Sequence, residues 1–161
     1  MTSKKSKLQA ELKQNKPFRD SGQEALLAIR RTADTLQREM ARTIEPFGVT
    51  EQQYNVLRIL RGSHPDGLPS LEIGDRMIER QPNVTRLLDR LDRKGLVRRK
   101  RSTQDRRVVR CWISDRGLDL LAEMDDPIDA TDLRLAGNLS AEEHDQLIEL
   151  LARVRTLEPD A

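Results

Sequence analysis

The stretch from Pro82 to Ile113 restricts the fold more than any other part of the chain. Val84, Leu87, Leu88 and Leu91 recur at threes and fours, which places them on one face of a short helix. Pro82 suits the first helical position, where its missing N–H leaves nothing unsatisfied, and Gly95 followed by the apolar pair Leu96 and Val97 ends the helix. Beyond it, the β-branched runs Val97–Arg101 and Val108–Ile113 flank the polar segment 102–107, the pattern of a β-hairpin. Val109, Cys111 and Ile113 then share one strand face.

The rest of the chain reads as helix. Leu26, Ile29, Ala33, Leu36, Met40 and Ile44 predict a long amphipathic helix over 21–44 with a narrow seam, closed by Pro46 and Gly48. Thr50-Glu-Gln-Gln is a capping-box pattern opening a second helix that runs to Arg61, with Val49 placed to staple onto Tyr54. The turn-forming run His64-Pro65-Asp66-Gly67 separates it from a short third helix carrying Leu71, Ile73, Met77 and Ile78. After the hairpin, Ser114 caps a helix through Leu118, Leu121 and Met124, which Pro127 is expected to kink or interrupt before it resumes toward Leu133. Ser140-Ala-Glu-Glu forms another capping box ahead of Leu147, Leu150, Leu151, Val154 and Leu157. The expected organisation is a flexible Lys-rich N-terminal arm (1–20), a long helix with its closing turn (21–48), a central module ending in the hairpin (49–113) and C-terminal helices (114–161).

At 161 residues the chain suits one compact domain with extensions and leaves no room for a separate cofactor domain. No stretch approaches the roughly 20 apolar residues that cross a bilayer, and the Lys-rich start lacks the features of a secretory signal, so the expected location is cytoplasmic, with no membrane partner. Four aromatic residues, Phe18, Phe47, Tyr54 and Trp112, are too few to build a base-stacking platform for single strands. No nucleophile elbow, phosphate loop or paired metal ligands appear, so the expectation is a protein with no catalytic residues, no cofactor and no metal site. Cys111, the single cysteine, reads as a small buried thiol rather than a redox sensor, and His64 and His144 read as surface residues. Asp125, Asp126, Asp129 and Asp132 read as a solvated face.

The net charge of +2 conceals a strong asymmetry. Residues 76–110 hold 13 Lys/Arg against 4 Asp/Glu, whereas residues 111–161 hold 4 against 13. Positive charge concentrated on the short helix and the hairpin points to a polyanion partner. With Val84, Leu87, Leu88 and Leu91 buried, the opposite helix face presents Gln81, Pro82, Asn83, Thr85, Arg86, Asp89 and Arg90. Amide, hydroxyl and guanidinium groups read base edges in a major groove, and Pro82 suits a thymine methyl. Arg86 is placed to fork onto a guanine or to hold a phosphate; Arg90 and Arg93, farther along, suit phosphates or an acidic neighbour. The hairpin adds Arg98, Arg99, Lys100, Arg101, Thr103, Arg106, Arg107 and Arg110, a density hard to justify for folding, with Asp105 expected to orient a neighbouring guanidinium. Two short helices followed by a basic hairpin constitute a winged helix-turn-helix, within a mainly α chain with a small β-hairpin wing.

The run RQPNVTRLLDRLDRKGLV at 80–97, then Asp105-Arg106-Arg107, then ISDRG at 113–117, resembles the MarR/SlyA family of bacterial transcription regulators. The resemblance extends more weakly over QQYNVLRIL at 52–60 and LSAEE at 139–143. It implies a homodimer whose first and last helices intertwine, two winged modules on a pseudo-palindromic double-stranded DNA site, and release by a small ligand, commonly a phenolic or aromatic acid. Long apolar seams at 21–44 and 139–157 need covering, either by one another or by a partner helix set, and together with the resemblance the partner set is the expectation. The expected function is a sequence-specific, homodimeric repressor, with the effector site unassigned: Tyr54, Arg30 and Arg58 are weak candidates where the first two helices meet the reading module. A winged-helix module for protein interaction is the alternative.

Overall fold

The computed structural model describes residues 6–79, 83–101 and 108–156. A five-residue helix, α1 (Lys7–Glu11), is followed by the long helix α2 (Ser21–Ile44). Asp20 caps α2 by accepting the Gln23 N–H at 2.8 Å. A single 3₁₀ turn over Glu45–Phe47 and Gly48, at φ +70°, reverse the chain as Pro46 and Gly48 predict. Helix α3 (Glu51–Arg61) opens with the expected capping box, Thr50 and Gln53 each accepting the other's backbone N–H.

The rest of the central module follows as β1 (Leu68–Pro69), α4 (Ser70–Arg76), α5 (Val84–Arg93), β2 (Val97–Arg101) and β3 (Val109–Ile113). The hairpin pairs Val97 with Ile113 and Arg101 with Val109 in antiparallel register. The sheet has three strands where the sequence suggests two: Leu68 and Pro69 add to the free edge of β3, opposite Cys111 and Arg110. A two-residue strand has no periodicity to detect, and Pro at an edge costs no ladder bond. Helix α4 is also shorter than expected. Ile73 and Met77 face inward, but Leu71 lies nearly opposite Ile73 on the helix and Ile78 follows the extended Met77, so both are 83% exposed.

Two long helices complete the chain: α6 (Asp115–Ala136), capped by Ser114, and α7 (Ala141–Arg155), opened by the Ser140–Glu143 capping box. Pro127 neither ends nor interrupts α6, contrary to expectation. It removes one N–H, while buried Met124 and Ile128 anchor the helix on both sides of it. Thr131 adds a bond to Thr43 of α2 at 2.8 Å.

The core lies where α3, α4, α5, the sheet and the first half of α6 meet. Val56, Leu57, Leu60, Ile73, Leu88, Leu91, Val97, Cys111, Ile113, Leu121 and Met124 are fully enclosed there. The outer helices differ. Only Ile44 of α2 is buried and no residue of α7 is, so Leu26, Leu36, Leu147 and Leu150 of the predicted seams remain 43–55% exposed within one chain. Arg61 joins the module to α6 by a bidentate pair with Asp125, with N···O distances of 2.9–3.0 Å. Among the described residues, no helix is long and apolar enough to cross a membrane.

Candidate nucleic-acid interface

Helix α5 carries the candidate site, and bonds at its C-terminal end fix it to its neighbours. At its C-terminus Gly95 adopts φ +70°; its N–H bonds the Asp92 carbonyl at 2.8 Å, and the Leu96 N–H bonds that of Leu91 at 3.0 Å. These are the paired bonds of a Schellman motif, which the Gly-Leu-Val run predicts. Ser114 then locks the helix end to the hairpin: its hydroxyl donates to the Gly95 carbonyl at 2.7 Å and its N–H to that of Leu96 at 3.0 Å. Gly117 fits this junction because a Cβ there would collide with the Leu96 carbonyl oxygen. Lys94 donates to the Gly48 carbonyl at 2.6 Å, tying α5 to the turn before α3.

With Leu88 and Leu91 enclosed and Val84 and Leu87 partly buried, α5 exposes Asn83, Thr85, Arg86 and Arg90. These four predicted residues share one solvent face. Asn83 is also the N-cap by position, yet its side chain makes no capping bond. Gln81, Pro82, Thr103, Asp105, Arg106 and Arg107 lie outside the described residues. Of the predicted hairpin residues, Arg98 and Arg101 are exposed, as is Lys100.

Asp89 and Arg99 depart from the expected arrangement. The Arg99 guanidinium turns inward and pairs with Asp89, so Asp89 is engaged within the protein and does not stand ready to read a base. Arg99 is only 18% exposed, and its Nε is buried with no hydrogen-bond partner among the described residues. Strand alternation is the cause: Arg99 shares the inward face with buried Val97, whereas Arg98 and Lys100 face out. Arg110 likewise serves the fold, donating to the Asp66 and Gly67 carbonyls at 3.2 Å each. Part of the hairpin's charge is therefore structural. The alternation was readable from Val97 onward; the acid that would meet Arg99 was not, because it lies on another element.

Cys111 sits opposite Arg99 and is fully buried. Burial pushes its thiol up, against a smaller opposing effect of the Arg99 guanidinium. The native protein is expected to resist a thiol reagent at neutral pH and to react stoichiometrically once unfolded in denaturant. Rapid labelling of the native state would show the strand to be open.

Beside the module, a groove of about 680 Å³ opens between α2, the start of α3, Met77–Glu79 and the corner joining α6 to α7. Gln37 of α2 and Gln52 of α3 both donate to the Glu79 carboxylate, and Asn55 of α3 accepts the Ile78 N–H at 3.1 Å. The segment entering α5 is thus tethered to both helices. The groove lies in the region expected for an effector, but Tyr54, Arg30 and Arg58 do not line it. Tyr54 is instead buried, with the Arg58 guanidinium 5.8 Å from its ring centroid. The polar groups that do line it are scattered through the sequence, and no local motif marks them.

The MarR family model matches residues 49–109, from the turn before α3 to the start of β3. A MarR transcription factor from Planctomyces limnophilus is 40% identical and superposes with a TM-score of 0.67, covering 84% of this chain and 98% of that one. The S. aureus MepR–DNA complex is 26% identical with a TM-score of 0.73, over 80% of this chain and 93% of that one. A cysteine-to-serine mutant of E. coli MarR complexed with operator DNA is 25% identical with a TM-score of 0.72, over 80% and 91%. With 40% identity sustained along almost the whole of a solved relative, and the family model matching its central module, this chain belongs to the MarR family of winged-helix transcription regulators.

Proposed function

We propose that the protein is a homodimeric repressor that binds a pseudo-palindromic duplex through α5 and the wing of each protomer and is released by a small effector. The observation that carries this reading is the division of α5 into two faces. Leu88 and Leu91 are enclosed, while Thr85, Arg86 and Arg90 stand exposed, as do Arg98, Lys100 and Arg101 of β2. Within this reading Asn83 and Thr85 meet base edges, Arg86 meets a guanine or a phosphate, and Arg90, Arg98 and Arg101 meet phosphates. Gln81, Pro82, Thr103, Asp105, Arg106 and Arg107 complete the proposed contact set. The exposed seams of α2 and α7 supply the surface for a second copy, and the relatives seen with DNA are MepR and E. coli MarR. A two-fold pair would set the two α5 helices about one duplex turn, ~34 Å, apart.

Selecting bound duplexes from a random pool tests the reading. An inverted repeat with half-sites about one turn apart, bound with an affinity that falls steeply with salt, is the expected result. Absence of binding even to random duplex at low salt would overturn it in favour of a protein-interaction module.

A further inference from the structure

Asp89 and Arg99 carry charge on the basic edge without offering it to a partner. Strand alternation turns Arg99 of β2 inward, opposite enclosed Cys111, and its guanidinium meets the carboxylate of Asp89 on α5, ten residues earlier. Among the described residues this is the only ion pair between α5 and the hairpin. It sits where two sets of cations join. Arg86 and Arg90 flank Asp89 on the helix and are exposed; Arg98, Lys100 and Arg101 flank Arg99 on the strand and are exposed as well. The Arg99 Nε is enclosed without a hydrogen-bond partner among the described residues, so the guanidinium depends chiefly on Asp89. Removing one partner of such a half-buried pair leaves the other charge desolvated and unpaired, and the strand is then free to shift.

We propose that Asp89 and Arg99 are positioning residues: their ion pair fixes β2 against α5, so that the cations of the helix and those of the strand engage one duplex together, while neither member of the pair touches the nucleic acid. The inference rests on the regulator reading and deepens it. Charge counting and positioning predict opposite signs. Taking away the Asp89 carboxylate raises the positive charge beside the duplex, which by itself tightens binding. If the pair aligns the strand, binding weakens instead, because misplacing Arg98, Lys100 and Arg101 forfeits more than one charge adds.

Asp89→Asn, Arg99→Gln and the double variant of the full chain are titrated with the selected duplex over a salt series, and thermal midpoints are measured alongside. Asp89→Asn is expected to weaken binding by about tenfold and to flatten the dependence of log affinity on log salt by about one, although no cation has been removed. The double variant is expected to bind no more weakly than Arg99→Gln alone, since the two residues act through each other. Unchanged or tighter binding by folded Asp89→Asn overturns the proposal even where its midpoint falls, because the pair then only stabilises the fold. Losses that multiply in the double variant overturn it too. Should Asp89→Asn not fold, the Arg99 Nε–H resonance of the unaltered chain decides. It is expected to be protected from solvent exchange both in the free protein and in the duplex complex; protection lost on binding means that Arg99 has left Asp89 for the nucleic acid, and overturns the proposal. Failure of the unaltered chain to bind any duplex at low salt removes the regulator reading itself, whereas equal binding by that chain and Asp89→Asn removes only the positioning role.

Discussion

Replacing Arg86 and Arg90 together with alanine lowers affinity for the selected duplex by about 100-fold or more, since each such contact contributes ~1–3 kcal/mol. Both guanidinium groups stand on the exposed face of α5, one helical turn apart, so in the proposed complex both would approach the same stretch of duplex. Their loss leaves the enclosed face of Leu88 and Leu91 untouched, so the thermal midpoint should scarcely move. Fluorescence anisotropy over a salt series checks the assignment. If both arginines hold phosphates, the dependence of log affinity on log salt flattens by about two, one for each; if Arg86 reads a guanine instead, discrimination at one base pair relaxes. An unchanged affinity together with an unchanged salt slope would remove α5 from the interface.

Leu88→Ala acts on the other face of the same helix. Leu88 is fully enclosed between α5 and the core, and truncating an enclosed leucine costs about 3 kcal/mol, partly for lost burial and partly for the cavity left behind. That is a large share of the stability of a small domain, so the urea midpoint falls substantially. The measurement is made at fixed protein concentration, because assembly of two copies would add a concentration-dependent contribution. Duplex affinity of the fraction still folded is expected to fall far less than in the arginine variant. A loss below about 1 kcal/mol would mean that the site collapses around the deletion, and that α5 is not held by Leu88.

These two outcomes restate the amphipathic pattern of α5, which was legible from the spacing of Val84, Leu87, Leu88 and Leu91. Other features were legible for equally local reasons. The Thr50–Gln53 and Ser140–Glu143 capping boxes, the Gly95 helix end, the Ser114 cap and the hairpin of β2 with β3 each involve residues close in sequence or a simple alternation. Interactions of this kind form whatever lies farther away, so a linear reading finds them. The exposed polar face of α5 belongs to the same class, because it is the complement of the buried one.

What lay beyond a linear reading depends on elements meeting in space. Arg99 counts as one more wing cation until Asp89, ten residues earlier on α5, is found to face it. Arg110 becomes a structural clamp only when the 66–67 turn lies over β3. The groove carboxylates come from α3, the α4–α5 connection and α6, and Gln37 reaches Glu79 across 42 residues. Long-range pairing of this sort costs chain entropy that only the assembled core offsets, and it leaves no periodic trace. The sequence alone therefore determined which segments are helix or hairpin, and that their shared outer edge is basic. The tertiary structure decided which of those cations remain available to a partner and which acids gather in the groove, because charge is neutralised by neighbours in space and not by neighbours along the chain.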